Sequence, residues 1–149
     1  MRCVVTAGPT IEPLDEVRRL TNFSTGRLGT ELANRLSLDG QQVTLLLGEQ
    51  ATWSGADKSV HTVRFSSTAD LADRLAELSP TGVDALFHAS AVSDFTFGRI
   101  WEEENGFRCE LKEGKITSRG GPLLAELIPT PKLIGRLRDW FPPALLVGT

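Results

Sequence analysis

Short apolar runs alternate with amphipathic stretches along most of this chain. Five apolar runs, each bounded by turn residues and mostly rich in branched side chains, predict buried strands: residues 2–7, 43–47, 60–65, 85–89 and 144–147. Three stretches with apolar residues at helical spacing predict helices: residues 28–36, 71–78 and 133–137. Ser24 or Thr25 is predicted to cap the first helix, and Ser67 or Thr68 the second. This order predicts an α/β fold, a Rossmann-like, doubly wound and mostly parallel sheet.

Three segments depart from that alternation. Residues 8–24 form a long polar loop after the first strand, and loops of this length are often functional. Residues 96–106 have no clear period and are predicted to be irregular. The runs 107–112 and 123–127 predict two strands of a β-hairpin inserted into the fold.

Composition places the chain among soluble globular proteins. Its 149 residues suit one domain, 1–149, with 40% hydrophobic and 23% charged residues. A net charge of -3 gives no electrostatic case for a nucleic-acid partner. No apolar run approaches the roughly 20 residues that span a bilayer, and the start resembles no signal peptide. We therefore expect no membrane association and a cytoplasmic location.

The cysteines and histidines predict no resident metal site. Cys3 and Cys109 have no metal-ligand or redox neighbour at a useful spacing, and His61 and His88 do not complete a ligand cluster with them.

Topology predicts where a ligand binds. In an open α/β sheet, ligands lie outside the carboxyl ends of the strands. Gly8, residues 90–94 and Gly148 all fall at that edge, so three loops are expected to form one pocket.

The segment 22–29, Asn-Phe-Ser-Thr-Gly-Arg-Leu-Gly, has the makings of a phosphate site. Glycine lets backbone N–H groups approach an anion, and a helix N-terminus favours negative charge. On spacing alone, an ordinary capped helix packed tightly on the sheet at Gly29 is an equal interpretation. The dinucleotide fingerprint GxGxxG is absent, which disfavours a nicotinamide or flavin role.

Four further side chains admit both a chemical and a structural interpretation. Asn22 is able to stabilise an oxyanion, yet an Asn at this place more often closes a turn. Asp94 follows small residues at a strand end, which favours ligand binding over a turn role. Lys115 and Lys132 are suited to a triphosphate, although solvated surface lysines are the commoner case.

Four blocks of sequence, in order, resemble the phosphopantothenoylcysteine synthetase family of coenzyme A biosynthesis. They are 5–15 (VTAGPTIEPLD) followed by Val17-Arg18, 22–29 (NFSTGRLG), 89–95 (ASAVSDF), and Lys115-Ile116 with Ser118, 120–123 and 131–133. The match spans nearly the whole chain. Two departures accompany it: Pro9 stands where a second glycine is common, and the family continues beyond the position of Thr149, so a C-terminally incomplete domain is expected.

The resemblance implies a ligase that joins 4'-phosphopantothenate and cysteine. A nucleoside triphosphate, ATP or CTP, is consumed with Mg²⁺ through an acyl-nucleotidylate, and family members are homodimers. It assigns catalysis to Asn22 and Lys115. It assigns nucleotide and phosphate binding to Gly8, Ser24, Gly26, Gly29, Pro131 and Lys132, and substrate binding to Ser90, Ala91 and Asp94. A non-catalytic phosphopantothenate- or nucleotide-binding protein of the same fold is the alternative.

Overall fold

The computed structural model describes residues 1–112, 114, 116 and 120–148. The elements of this part are β1 (Arg2–Pro9), β2 (Ile11–Pro13), β3 (Arg19–Thr21), α1 (Arg27–Leu38), β4 (Gln42–Gly48), β5 (His61–Phe65), α2 (Thr68–Leu78), β6 (Ala85–Ala91), β7 (Phe95–Glu104), β8 (Phe107–Leu111), β9 (Leu123–Pro129), α3 (Leu133–Trp140) and β10 (Leu145–Gly148). A short 3-10 helix, Ser79–Thr81, follows α2.

The central sheet has five parallel strands in the order β10-β6-β1-β4-β5. From β1 the chain first winds outward to β4 and β5, then returns to β6 on the other side of β1. The winding direction therefore reverses between β1 and β6, and such a switch point opens a crevice at the strand ends. The predicted Rossmann-like, doubly wound sheet is confirmed.

Alternation along β1 sends successive side chains to opposite faces of the sheet. Val5 and Ala7 pack in one buried cluster with Ala33 of α1. Val4 packs in a second buried cluster with Leu75 of α2 and Leu137 of α3. Helices thus cover both faces, which explains why the strands read as continuous apolar runs.

The segments predicted as irregular contain strands. Within residues 8–24, β2 and β3 form an antiparallel hairpin. The prediction of irregular structure over 96–106 is wrong, because β7 occupies most of it. A register shift between Phe97 and Ile100 breaks the two-residue period of β7 and hides the strand from a pattern search.

The inserted hairpin is present, with a different pairing from the one expected. β8 and β9 each pair with β7, giving a three-stranded antiparallel sheet in the order β8-β7-β9. The β7–β8 turn is Asn105-Gly106, with φ of 50° and 79°. Asn-Gly between two strands is a strong hairpin signal, so the sequence did contain the information for this turn.

Candidate functional site at the switch point

The carboxyl ends of β1 and β6 lie side by side at the switch point. Gly8 pairs with Ser90, and Pro9 pairs with Ala91. Gly148, at the end of β10, pairs with His88, which lies two residues before Ser90 on β6. The three segments meet at one edge of the sheet as predicted, and the single pocket expected of them stays a prediction.

Buried polar contacts fix the segment between β1 and α1 against these strand ends. The N–H of Thr10 donates to the Ala91 carbonyl at 3.2 Å, and its Oγ1 accepts from the N–H of Ser93 at 2.9 Å. Oε1 of buried Glu12 accepts from the N–H of Thr68 at 3.0 Å, where α2 begins. A carboxylate is favourable at a helix N-terminus, so Glu12 holds β2 on α2.

The side chain of Asn22 reaches the end of β6. Its Nδ2 donates to the carbonyl of Val92 at 3.0 Å and, more weakly, to that of Ala91 at 3.4 Å. Asn22 is exposed and borders a cavity of about 410 Å³, together with Pro9 and Ser24. The amide is therefore held in place by backbone carbonyls at the rim of a cavity.

The start of α1 is built by glycine and not by the predicted hydroxyl cap. Gly26 is the N-cap residue, with φ of 76° in the left-handed region. Ser24 Oγ accepts from the N–H of Gly26 at 3.4 Å, and Thr25 Oγ1 from the N–H of Arg27 at 3.3 Å. The prediction of Ser24 or Thr25 as the cap is wrong, because the turn between them and the helix needs a residue that tolerates positive φ.

Close packing accounts for the glycines on this side of the sheet. A Cβ on Gly29 would lie 2.6 Å from Ala7 Cβ, so helix and strand touch there. Cβ atoms on Gly8 and Gly26 would each lie 2.9 Å from Ala51 Cβ. The structure thus supports the packing interpretation of Gly29, and a phosphate contact there stays a prediction.

A second cavity, of about 160 Å³, opens on the other face of the sheet, between the end of β6 and the start of α3. It is bordered by four of the predicted residues: Ser90, Asp94, Pro131 and Lys132. Lys132 Nζ donates to the Asp94 carboxylate, and both side chains are exposed. Ala91 supplies its carbonyl to Asn22. We call this space the α3 cavity, and we call the glycine-built segment 24–29, together with Gly8, the α1 wall.

His88 lies at the bottom of the α3 cavity and was not predicted as a site residue. It is 5% exposed, and its Nδ1 lies 2.9 Å from Thr6 Oγ1. Thr6 Oγ1 also accepts from the N–H of Ser90 at 3.2 Å. Burial lowers the pKa of the His88 imidazole below its usual value. The available signal was a polar residue within each of two apolar strand runs, Thr6 and His88, although the contact between them is not visible in the sequence.

Lys115, the second predicted catalytic residue, lies outside the described residues. Within the described part of the chain, no group of three or more His, Cys, Asp or Glu side chains is placed to hold a metal ion. The same part contains no helix long and apolar enough to cross a membrane.

Residues 1–137 match the family model of the DNA/pantothenate metabolism flavoprotein C-terminal domain. The chain belongs to this family. A similar relative is the coenzyme A biosynthesis bifunctional protein CoaBC of Thermococcus kodakarensis, 31% identical over 147 residues. These cover 99% of this chain and 33% of the relative, so the chain spans about a third of that protein's length. CoaBC of Mycobacterium tuberculosis is 39% identical over 94 residues, 63% of this chain and 22% of the relative.

Solved members of the family have the same architecture. The DNA/pantothenate metabolism flavoprotein of Streptococcus pneumoniae matches with a TM-score of 0.81 and 29% identity, covering 98% of this chain and 67% of that one. The C-terminal domain of a CoaBC protein matches with a TM-score of 0.74 and 26% identity, covering 97% of this chain and 61% of that one.

Proposed function

We propose that this domain is the core of a phosphopantothenate–cysteine ligase of coenzyme A biosynthesis. The observation that carries the proposal is the position of Asn22. Its amide is fixed by the carbonyls of Ala91 and Val92 at the switch point, between the α1 wall and the α3 cavity. Membership of the family, and a CoaBC relative matched along nearly the whole chain, support this assignment.

The proposed reaction has two steps. A carboxylate oxygen of 4'-phosphopantothenate bonds to the α-phosphorus of ATP or CTP, and the α–β phosphoanhydride bond breaks to release pyrophosphate. The amine of cysteine then bonds to the acyl carbon, the nucleoside monophosphate leaves, and the amine loses its proton to solvent or base. Both steps bring anions together, so positioning and fixed hydrogen-bond donors are the protein's main contribution.

The proposed residue roles rest on the resemblance to the family. The α1 wall, with Gly8, Ser24, Gly26 and Gly29, contacts the nucleotide phosphates through backbone N–H groups and a helix N-terminus. Asn22 stabilises the acyl-nucleotidylate, and Lys115 assists at the triphosphate. Ser90, Ala91 and Asp94 contact the acid substrate. Pro131 and Lys132, at the start of α3, complete the nucleotide side.

Mg²⁺ fits this arrangement as a partner of the nucleotide. It is usually held by one or two carboxylates together with substrate phosphates, and Asp94 is the carboxylate that borders the α3 cavity among the described residues. When bound, it would neutralise charge on the triphosphate. We place the reaction in the cytoplasm.

We also propose that the protein is a homodimer. Strand β9 carries exposed apolar residues at adjacent positions, with Leu127 50% and Ile128 44% exposed. Adjacent strand residues face opposite ways, so the three-stranded sheet has apolar surface on both sides. Light scattering should give twice the chain mass, and Leu127→Lys should shift it towards the monomer. A monomer at micromolar concentration would contradict this part.

Pyrophosphate release tests the ligase directly. It should require phosphopantothenate and either CTP or ATP, with cysteine needed for continued turnover. The assay is run on this chain and on a version extended past Thr149. If the extended form releases no pyrophosphate, the ligase is ruled out. Saturable binding without turnover in that form would instead support the non-catalytic binding protein.

A further inference from the structure

We propose that Thr130 is a positioning residue for nucleotide binding: its hydroxyl ties the start of α3 to the segment that follows β6, and thereby holds Lys132 in place. This rests on the proposed function, in which Lys132 contacts the nucleotide. The hydrogen bonds that carry the proposal belong to the fold and do not depend on ligation.

Thr130 makes two hydrogen bonds with the residues between β6 and β7. Its N–H donates to the carbonyl of Asp94 at 2.9 Å, and its hydroxyl donates to the carbonyl of Ser93. The first bond continues the antiparallel β7–β9 ladder, in which Phe95 pairs with Pro129. The second bond lies outside that ladder, so it is a side-chain contact that the sheet itself does not require.

The carbonyl that accepts the Thr130 hydroxyl belongs to a firmly held residue. Ser93 is 3% exposed. Its N–H donates to Thr10 Oγ1 at 2.9 Å, and its hydroxyl donates to the carbonyl of Phe95 at 2.7 Å. The Thr130 hydroxyl therefore joins the chain before α3 to a fixed point beside the proposed site.

The start of α3 is not held by a helix cap. Lys132 is the N-cap residue, and no described side chain caps this helix, while Pro131 has no N–H to donate. Lys132 pairs with the Asp94 carboxylate, but both side chains are exposed, and an exposed ion pair contributes little. Buried Leu133 packs in the core, so the two residues before it depend on Thr130 for their placement.

This placement matters for an anionic ligand such as a nucleotide. Lysine carries a point charge on a flexible stem, so its contribution falls when its backbone is free to move. Loss of the Thr130 hydroxyl should therefore weaken binding through Lys132, and should have little effect once the Lys132 charge is removed. A purely structural role of Thr130 predicts the same effect on affinity with or without that charge.

Calorimetry with CTP and with ATP, in the presence of Mg²⁺, tests the proposal on this chain and on the version extended past Thr149. Thr130→Val removes the hydroxyl and keeps the N–H, and should raise the nucleotide Kd about threefold to tenfold, the scale of one hydrogen bond. Thr130→Ser keeps the hydroxyl and should recover most of the affinity. Thr62→Val on β5 is the matched control, because Thr62 Oγ1 also donates to a backbone carbonyl, that of Val60 at 3.3 Å. It should leave Kd unchanged.

A double-mutant cycle with Lys132→Gln decides how Thr130 acts. In the Lys132→Gln background, Thr130→Val should change Kd less than about twofold. An equal change of Kd in both backgrounds would overturn the proposal. So would wild-type affinity in Thr130→Val, or the absence of nucleotide binding in both lengths of the chain.

These outcomes are separate from ligation. A coupled loss of nucleotide affinity, without pyrophosphate release from the extended form, would retain Thr130 as a positioning residue and reject the ligase. Pyrophosphate release with unchanged affinity in Thr130→Val would retain the ligase and reject this role of Thr130.

Discussion

The α1 wall and the α3 cavity flank the same strand ends and are built in different ways. On the α1 wall, function is assigned to backbone groups, and glycine is needed because helix, strand and turn touch. The α3 cavity is bordered by side chains that carry the polarity: His88, Ser90, Asp94 and Lys132. Backbone N–H groups at a helix N-terminus suit phosphate, whereas the α3 cavity offers side-chain hydrogen-bonding groups to a ligand that reaches the end of β6.

Asn22 joins the two sides, so changing it should have the largest effect. Asn22→Asp removes the N–H donors to the carbonyls of Ala91 and Val92 and adds a negative charge where an anion develops. Ligation should fall at least about 100-fold, the scale for loss of an oxyanion donor. Asn34→Asp is the control, because Asn34 makes similar contacts, to Gly55 and Asp57, away from the switch point. Turnover similar to wild type would exclude Asn22 from the mechanism.

Substituting alanine for glycine should lower the stability where the glycine is in close contact with a strand, and should not lower it where the glycine has free space. Gly29→Ala places a Cβ 2.6 Å from Ala7 Cβ and should lower the free energy of unfolding by about 1–3 kcal/mol. Gly135→Ala in α3 meets nothing within 4 Å and should raise it by up to about 1 kcal/mol. Urea denaturation measures both. Equal effects of the two substitutions would remove the close contact from the explanation.

The α1 wall could be predicted from the sequence more fully than the α3 cavity. A buried strand end and a glycine-bearing helix start are local patterns, so the sequence alone predicts that Gly8 and Ser90 lie at one edge of the sheet and that Gly26 lies where a helix begins. The His88–Thr6 contact joins residues 82 positions apart, and no local period reports it. The pairing of β7 with both neighbours is likewise non-local, and its register shift conceals the strand.

Acid should lower the free energy of unfolding through His88. Burial lowers the pKa of His88, so the unfolded chain takes up that proton at a higher pH than the folded one. The stability that the buried neutral imidazole contributes is therefore fully present above about pH 6.5 and is lost as the pH falls through the folded-state pKa. His88→Gln should flatten this fall, and His61→Gln should not. Backbone hydrogen bonds from Arg18 and Val17 lower the pKa of Asp15. Its contribution to the folding stability is therefore lost only near pH 4 and below.

The smallest effect on stability is expected at the rim of the α3 cavity. The Asp94–Lys132 pair is exposed, with side chains 64% and 72% accessible, so Lys132→Gln should change the unfolding free energy by less than about 0.5 kcal/mol. The exposed pair of Arg35 and Asp39 offers a matched control in Arg35→Gln. Only Lys132→Gln should weaken nucleotide binding, by calorimetry. A similar affinity in both variants would remove Lys132 from the nucleotide side.

The assignment of two ligand groups to the two sides can be tested in a single amide NMR titration of this chain. CTP or ATP should shift the amide signals of Gly26 to Gly29 and of Lys132, and phosphopantothenate should shift those of Ser90 to Asp94. Asn22, fixed to the end of β6 by its side chain, should respond to both. If CTP or ATP leaves the signals of Gly26 to Gly29 unchanged at millimolar concentration, or if phosphopantothenate leaves those of Ser90 to Asp94 unchanged, the assignment of the ligands to the α1 wall and to the end of β6 is contradicted.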